Sequence, residues 1–381
     1  MALYNPVWGI CYYVGLTIIR PEMLTYGTSH IRHIFPFAQG AILVSTVLAK
    51  NFKLEKVMNS QFLFFFLFVL GLVVSTQLSP YEHYLSYRFN KTLILIFLLC
   101  VTIKMNILDI TNVRLYYNSI IYLLMFLGLW GVQQSILGNP DLGGLFGRFI
   151  PDRCGICAVF TLYFPLGIYK ILTRKTKIDL IIGLTATILF ITDIVLTYSR
   201  AGFLGLACSV LWIVKGFKHK VKISFLVAAV FVLSLFVLPE DYTTRISGMF
   251  EKNLAETEER VEDTSVAGRV VLWRAAMLVF KENLLFGVGP LNFPEAGYSK
   301  GEYFKGKIND GLWLKLFGNP NFKLLAHNMF VNILAEGGLI SSVPFYLFIL
   351  ISFRENAGIL KYQGDDKETM ELVILSKCIR A

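Results

Sequence analysis

TRKTKIDLIIGLTATILFITDIVLTYSRAGFLGLACSVLWIVKG (Thr173 to Gly216) reads as two apolar runs, 178–198 and 201–217, that meet at one arginine, Arg200. Basic clusters stand at both far ends, TRKTK (173–177) and KGFKHKVK (215–222). Short loops rich in Lys and Arg stay on the inner side of a membrane. The stretch is therefore a membrane hairpin with Arg200 at its outer tip. The run from Ala201 to Val214 has fourteen residues and rises about 21 Å, less than a hydrocarbon core of about 30 Å. With Lys215 near the inner surface, Arg200 is drawn below the outer one, although snorkelling of Lys215 relaxes this. A charge at that depth is costly and faces a cavity or a partner. Asp193 lies on the same helix face but about 10 Å away along the axis, too far for a direct pair in a straight helix. An interfacial, snorkelling arginine is the plain alternative.

Moving outward, the 381-residue chain is 55% apolar and only 16% charged, with a mean hydropathy of +0.60. Soluble domains run about 45–50% apolar and about 25% charged. The composition excludes a pair of soluble domains and predicts an all-α polytopic membrane protein. Ten runs are candidates for spans of about 20 residues: 3–19, 34–49, 61–78, 92–108, 115–137, 154–172, 178–198, 201–217, 221–239 and 328–352. With the N-terminus inside, thirteen Lys and Arg fall in inner loops and seven in short outer loops. The net charge of +10 follows from this topology, so no nucleic-acid partner is expected. The domain reading is a bundle over 1–239 with about nine spans, a helical periplasmic loop over 240–327, a membrane helix over 328–352 and a cytoplasmic tail over 353–381, a short inner tail or a truncated final portion. The opening residues have no basic n-region and no small-residue cleavage site, so they read as a retained span.

Cys154 and Cys157 form a CxxC at the start of a span. Packing is the expected role, with a redox or metal pair as the alternative. The acidic run EKNLAETEERVED (251–263) reads as a solvated face. After it a helix is expected over Val266 to Asn283, capped by Thr264 or Ser265. Arg269, Trp273, Ala276 and Phe280 would share one of its faces, suited to lipid headgroups or to packing on the bundle. GVGP (287–290) follows a helix and not a strand, so a dinucleotide fingerprint is rejected. In AHNMFVNILAEGGL (326–339), His327 stands at the outer mouth of the last span. Asn328, Asn332 and Glu336 make a polar stripe below it, with Glu336 about 13 Å down. Such a stripe must face protein or water.

Three blocks together, LTYSRAGFLGL, AGRVVLWRAAMLVFKENLLFGVGPLNF and AHNMFVNILAEGGLI, resemble the O-antigen ligase and polymerase family of bacterial membrane glycosyltransferases. The likeness covers about 175–345, and the opening NPVWGICYYVGLTIIRPEMLTYG resembles a subgroup found near exosortase systems. The resemblance implies a GT-C-like bundle with its active site facing the periplasm of the inner membrane. It implies glycan transfer from an undecaprenyl-diphosphate carrier to a hydroxyl of lipid A core, another glycan or a protein, with inversion and without a metal or cofactor. Arg200 and Arg269 match the family's diphosphate-binding arginines and His327 its base. Arg153 is carried over as a further donor-binding residue, and Asn328, Glu336 and Trp273 as supporting ones. The chemistry fits: diphosphate leaves readily and needs charge neutralisation, which forked, permanent guanidinium groups supply. The acceptor needs a base near neutrality, which imidazole supplies. In GRFIPDRCG (147–155), Asp152 and Arg153 stand where the family often has an Arg with an Asn–Asn or Pro–Asn pair. Family members also continue for one or two more spans. A polymerase or a protein oligosaccharyltransferase differs only in acceptor. Outside enzymes, a lipid-glycan flippase would show internal repeats, which the sequence lacks; a non-catalytic assembly partner is the third reading.

Overall fold

The computed structural model describes residues 5–19, 34–48, 58–81, 84–107, 109–137, 153–197, 199–216, 264–319, 324–359 and 367–379. Among them are fourteen helices and no strand: α1 (Pro6–Ile19), α2 (Ile34–Leu48), α3 (Ser60–Leu78), α4 (Tyr84–Asn106), α5 (Ile110–Ile136), α6 (Arg153–Leu172), α7 (Lys177–Leu196), α8 (Arg200–Gly216), α9 (Thr264–Glu282), α10 (Phe293–Tyr298), α11 (Gly301–Phe304), α12 (Asp310–Phe317), α13 (Met329–Ile359) and α14 (Lys367–Ile379). Six are long and apolar enough to cross a membrane: α3, α4, α5, α6 from Gly155, α7, and α13 to Gly358. The chain is a multi-pass membrane protein. Of the other four expected spans, 3–19 gives a helix of 14 residues, while 34–49 and 201–217 give short apolar helices. The span expected over 221–239, the acidic run and KGFKHKVK beyond Gly216 lie outside the described residues.

Two compact units emerge. The first comprises Met1–Phe52, Thr102–Ala255 and Arg354–Ala381. Its centre is the α6–α7 hairpin, turned at the TRKTK cluster. Thr176 and Asp179 form a reciprocal capping box that starts α7, and Lys170 pairs with Asp179 at 2.7 Å across the turn. The helices approach closely because small residues face bulky ones. A Cβ on Gly167 would lie 2.6 Å from Thr187 Oγ1, and one on Gly183 would lie 2.8 Å from Ile171 Cγ1. At one end α14 is tied to α5 and α6. Glu371 accepts both Arg114 Nε at 2.6 Å and Arg114 Nη2, and the Tyr169 hydroxyl at 2.7 Å.

The second unit comprises Lys53–Val101 and Glu256–Phe353. In it α3 packs on α13 through Phe65–Phe348 and Phe68–Phe345 ring contacts, with centroids 5.1 and 5.0 Å apart. Helix α4 begins at Tyr84, eight residues ahead of the expected 92. Ser86 and Asn90 read as loop residues, yet both turn inward. Ser86 Oγ donates to Pro290 O at 2.6 Å and Asn90 Nδ2 to Thr76 Oγ1 at 2.7 Å. Arg88 and Lys91, expected in a short loop, are therefore exposed helical residues. A second core gathers α9 to α12 around Val279, Phe293, Phe304 and Phe317.

Candidate active site

Helix α9 starts at Thr264, so the expected caps Thr264 and Ser265 fall inside it. Its buried stripe is Gly268, Val271, Leu272, Ala275, Ala276 and Val279, a regular helical spacing. The face that Arg269, Trp273, Ala276 and Phe280 share stands to one side of that stripe: only Ala276 of the four is buried. Trp273 and Phe280 are half-buried at the edge and Arg269 is exposed. Small residues sit on the true packing face, and those carry little hydropathy signal.

Trp273 makes the link that organises the site. Its indole Nε1 donates to Ala326 O at 2.8 Å, and Ala326 is fully buried. The next residue is His327, exposed and held at φ 51°, in the left-handed region that non-glycine residues seldom occupy. After it comes Asn328, whose Oδ1 accepts the N–H of Phe330 at 3.0 Å and of Val331 at 3.4 Å. That is an N-cap for α13. His327 thus hangs between a bonded carbonyl and a bonded cap, its backbone fixed and its side chain presented outward. Arg269 stands one turn before Trp273 on α9, about 6 Å along the axis. Of the residues foreseen, Arg269, Trp273, His327, Asn328 and Glu336 lie in the second unit, and among them Trp273 is tied to the carbonyl before His327.

Glu336 does not serve the His327 turn. Its buried carboxylate accepts the N–H of Phe293 at 3.3 Å, and the Leu291 N–H and Asn332 amide also approach it. The polar stripe below His327 therefore faces protein, and it anchors the 287–293 turn. The support for that turn is a break in α13 that sequence reading missed. At Gly338 the backbone takes φ 57° and ψ −165°. An uninterrupted helix would pair Leu339 N with Ala335 O and Ile340 N with Glu336 O. Instead Val288 N and Gly289 N donate to Ala335 O and Glu336 O at 3.0 and 2.8 Å, and Leu339 N and Ile340 N donate to Leu284 O and Leu285 O at 2.9 and 3.1 Å. These four groups freed by the break are thereby satisfied, as hydrocarbon surroundings demand. Ser75 of α3 adds a donor to Glu336 O at 2.7 Å. Ser79 Oγ donates to Val288 O, and Asn292 Nδ2 donates to the same carbonyl at 2.9 Å. The only signal in the sequence was the paired small residues GVG and EGG.

Arg200 and Arg153 belong to the first unit. Arg200 is the first residue of α8, and Arg153 is the first described residue of α6. Ser199 caps α8, its Oγ accepting Gly202 N at 3.4 Å. The first turns of the two helices touch: a Cβ on Gly202 would lie 1.7 Å from Cys157 Sγ. Cys157 is buried there, so this half of the CxxC is a packing residue; the Cys154 side chain lies outside the description. The two helix ends that carry these arginines are therefore neighbours. Asp193, on α7, is fully buried, and neither carboxylate oxygen finds a hydrogen-bond partner among the described residues. It fits because Gly128 and Gly131 of α5 lack side chains: a Cβ there would lie 2.6 and 2.4 Å from its oxygens.

Residues 185–346 match the family model described as O-antigen ligase. They form an O-antigen ligase domain. Members of that family are membrane glycosyltransferases that act in O-antigen ligation or polymerisation. The O-antigen ligase match spans Arg200, Arg269 and His327, and Arg153 lies before it. A comparison with curated proteins finds no match.

Proposed function

We propose that the chain moves a glycan from an undecaprenyl-diphosphate carrier to an acceptor hydroxyl, at the periplasmic side of a bacterial inner membrane. The observation that carries this reading is the His327 turn. An exposed imidazole on a left-handed backbone, clamped from both sides within an O-antigen ligase domain, is a preorganised base. The acceptor oxygen attacks the anomeric carbon while His327 takes its proton. The bond from that carbon to the diphosphate oxygen breaks on the opposite face of the ring, so the configuration inverts. Negative charge grows on the leaving diphosphate, and Arg200 and Arg269 neutralise it, with Arg153 as a further contact. Permanent cations make a metal unnecessary for this step. Trp273 and Asn328 hold the base in place. Glu336 holds the turn that meets the break in α13. The acceptor is lipid A core, with a growing glycan or a protein as the family's other choices.

Purified chain in nanodiscs, given carrier-linked glycan and each acceptor in turn, tests the reading. Joined glycan and free undecaprenyl diphosphate are the expected products. His327→Ala at equal protein level lowers the rate on the order of 10²–10⁴, and either arginine to Ala lowers it on the order of 10²–10³. If both arginines hold one diphosphate, the double variant is less than multiplicatively worse. An unchanged rate in His327→Ala removes the base. Activity abolished by EDTA and restored by a divalent ion removes the metal-free step.

A further inference from the structure

Beside the Trp273 brace, on the outer side of α9, lies an open groove of about 400 Å³, between α9 and the segment of α11 to Ile308. That size falls in the range of small-molecule sites. Apolar side chains of Val270, Met277, Leu278 and Ile308 line it, with the aromatic rings of Trp273, Tyr303 and Phe304. Three cations line it, Arg274, Lys281 and Lys307, and no carboxylate does. The two acids nearest in sequence are engaged elsewhere, Glu282 with Lys300 and Glu302 with Lys305. Lys307 Nζ rests 3.4 Å from the centroid of the Tyr303 ring, a cation–π contact that keeps the ammonium at the groove wall. Three cations with no ion pair among the described residues gather at one groove, where they repel each other and call for an anion.

We propose that this groove binds an anionic stretch of the glycan, a saccharide bearing carboxylate or phosphate groups. The inference rests on the glycosyl-transfer reading and names the substrate class for it. Sugar rings offer an apolar C–H face that packs on aromatic and aliphatic side chains, and their acidic substituents pair with guanidinium and ammonium groups. Apolar and aromatic side chains lining one groove with three cations present both halves of that chemistry. The location fits too: Trp273 lines the groove and also donates to the carbonyl preceding His327. A chain lying in the groove runs past the residue that fixes the candidate base.

The test uses the full chain in phosphatidylcholine nanodiscs, with hexagalacturonate as the acidic probe and maltohexaose as the neutral one. Hexagalacturonate binds more tightly than maltohexaose, and the difference shrinks as salt rises. Changing Arg274, Lys281 and Lys307 together to Gln weakens hexagalacturonate about ten-fold, the scale of three exposed ion pairs, and leaves maltohexaose unchanged. Arg274→Gln alone gives part of that loss. His327→Ala keeps full binding, so a failed transfer assay and a failed binding assay stay separate. Transfer with the acidic group on the donor glycan or on the acceptor tells the two sources apart: the triple variant raises KM for the charged substrate only. Equal affinity for both probes overturns the proposal. So does a triple variant that binds as the parent does. Loss of hexagalacturonate binding in phosphatidylglycerol nanodiscs, with the parent chain, also overturns it and assigns the groove to lipid headgroups.

Discussion

Gly338→Ala strikes the break in α13, and the structure sets the scale of the damage. The backbone at φ 57°, ψ −165° lies in a region open almost only to glycine, which costs another residue about 1–3 kcal/mol. The added Cβ would stand 2.4 Å from Leu285 O, 2.5 Å from Leu285 C and 2.6 Å from Gly287 N. These are backbone atoms and cannot rotate aside. The clamp must open, and it holds four hydrogen bonds at about 1 kcal/mol net each. Losing two of them on top of the strain gives about 4 kcal/mol. At roughly 2–4 °C per kcal/mol for chains of moderate size, the melting temperature falls by roughly 10 °C. The assay is thermal unfolding of detergent-purified protein. Gly358→Ala in the same helix is the control, because nothing lies within 4 Å of its Cβ position and alanine is the better helix former. Gly287→Ala should match Gly338→Ala: its φ is +67° and its Cβ would lie 2.4 Å from Glu336 C and O. The double variant should be less than additive, because both changes open one clamp. A Gly338→Ala protein that melts with Gly358→Ala refutes the reciprocal clamp.

Trp273→Phe keeps the ring and removes the donor to Ala326 O, so stability falls by about 1 kcal/mol. Transfer falls roughly ten-fold or more as the His327 turn loosens; equal rates would show that the turn does not position the base. Gly202→Ala forces its Cβ onto Cys157 Sγ and lowers folded yield. The double variant Gly202→Ala, Cys157→Ala restores much of it, because a 3.2 Å contact with the Cys157 Cβ and a 3.6 Å one with Ile194 Cγ2 remain; no rescue would contradict the packing of α8 on α6. Burial tends to raise the pKa of Glu371, but its bonds from Arg114 and Tyr169 prevail and hold it below the ordinary glutamate range. A depressed folded pKa gives stability that is present above the unfolded value, near about 4.3, and lost as pH falls through the folded one. The melting temperature should therefore drop on acidification below about pH 4.3, and Glu371→Gln should flatten part of that slope; an identical pH profile would sink the linkage.

Apolar runs announced the helices best. Runs 61–78, 115–137, 154–172 and 178–198 each became a helix long enough to cross a membrane, since length and hydropathy are local properties. Polar residues misled where their partners were remote. Ser86 and Asn90 looked like a loop because Pro290 and Thr76, which they bond, are distant or hidden in sequence. The same holds for the break in α13. EGGL reads as a weak spot within a helix, and GVGP reads as a helix stop. Only tertiary pairing shows that each supplies the groups the other lacks. Trp273 and Ala326 are 53 positions apart, so no periodicity could join them. Arg269, Arg200 and His327 were singled out by three motif blocks and not by composition, and all three fall within the matched stretch. Arg274, Lys281 and Lys307 drew no notice, because scattered cations on exposed turns look like ordinary solubilising charge until one groove gathers them.

A cation at the first residue of a helix opposes the positive end of the helix dipole, at about 0.3–1 kcal/mol. Arg200 occupies that position in α8, whose first turn touches α6 at Cys157, four residues after Arg153. Stability alone would favour Asp or Ser at such places. On the proposed reading the arrangement becomes favourable once an anion arrives, because the positive end of the α8 dipole and the two arginines then act with the same sign. A diphosphate carries the charge and the number of oxygens to satisfy them together. On the proposed reading, the unfavourable charges of the resting enzyme are the preorganised field of the loaded one, and a neutral residue at position 200 should raise the melting temperature while it lowers transfer.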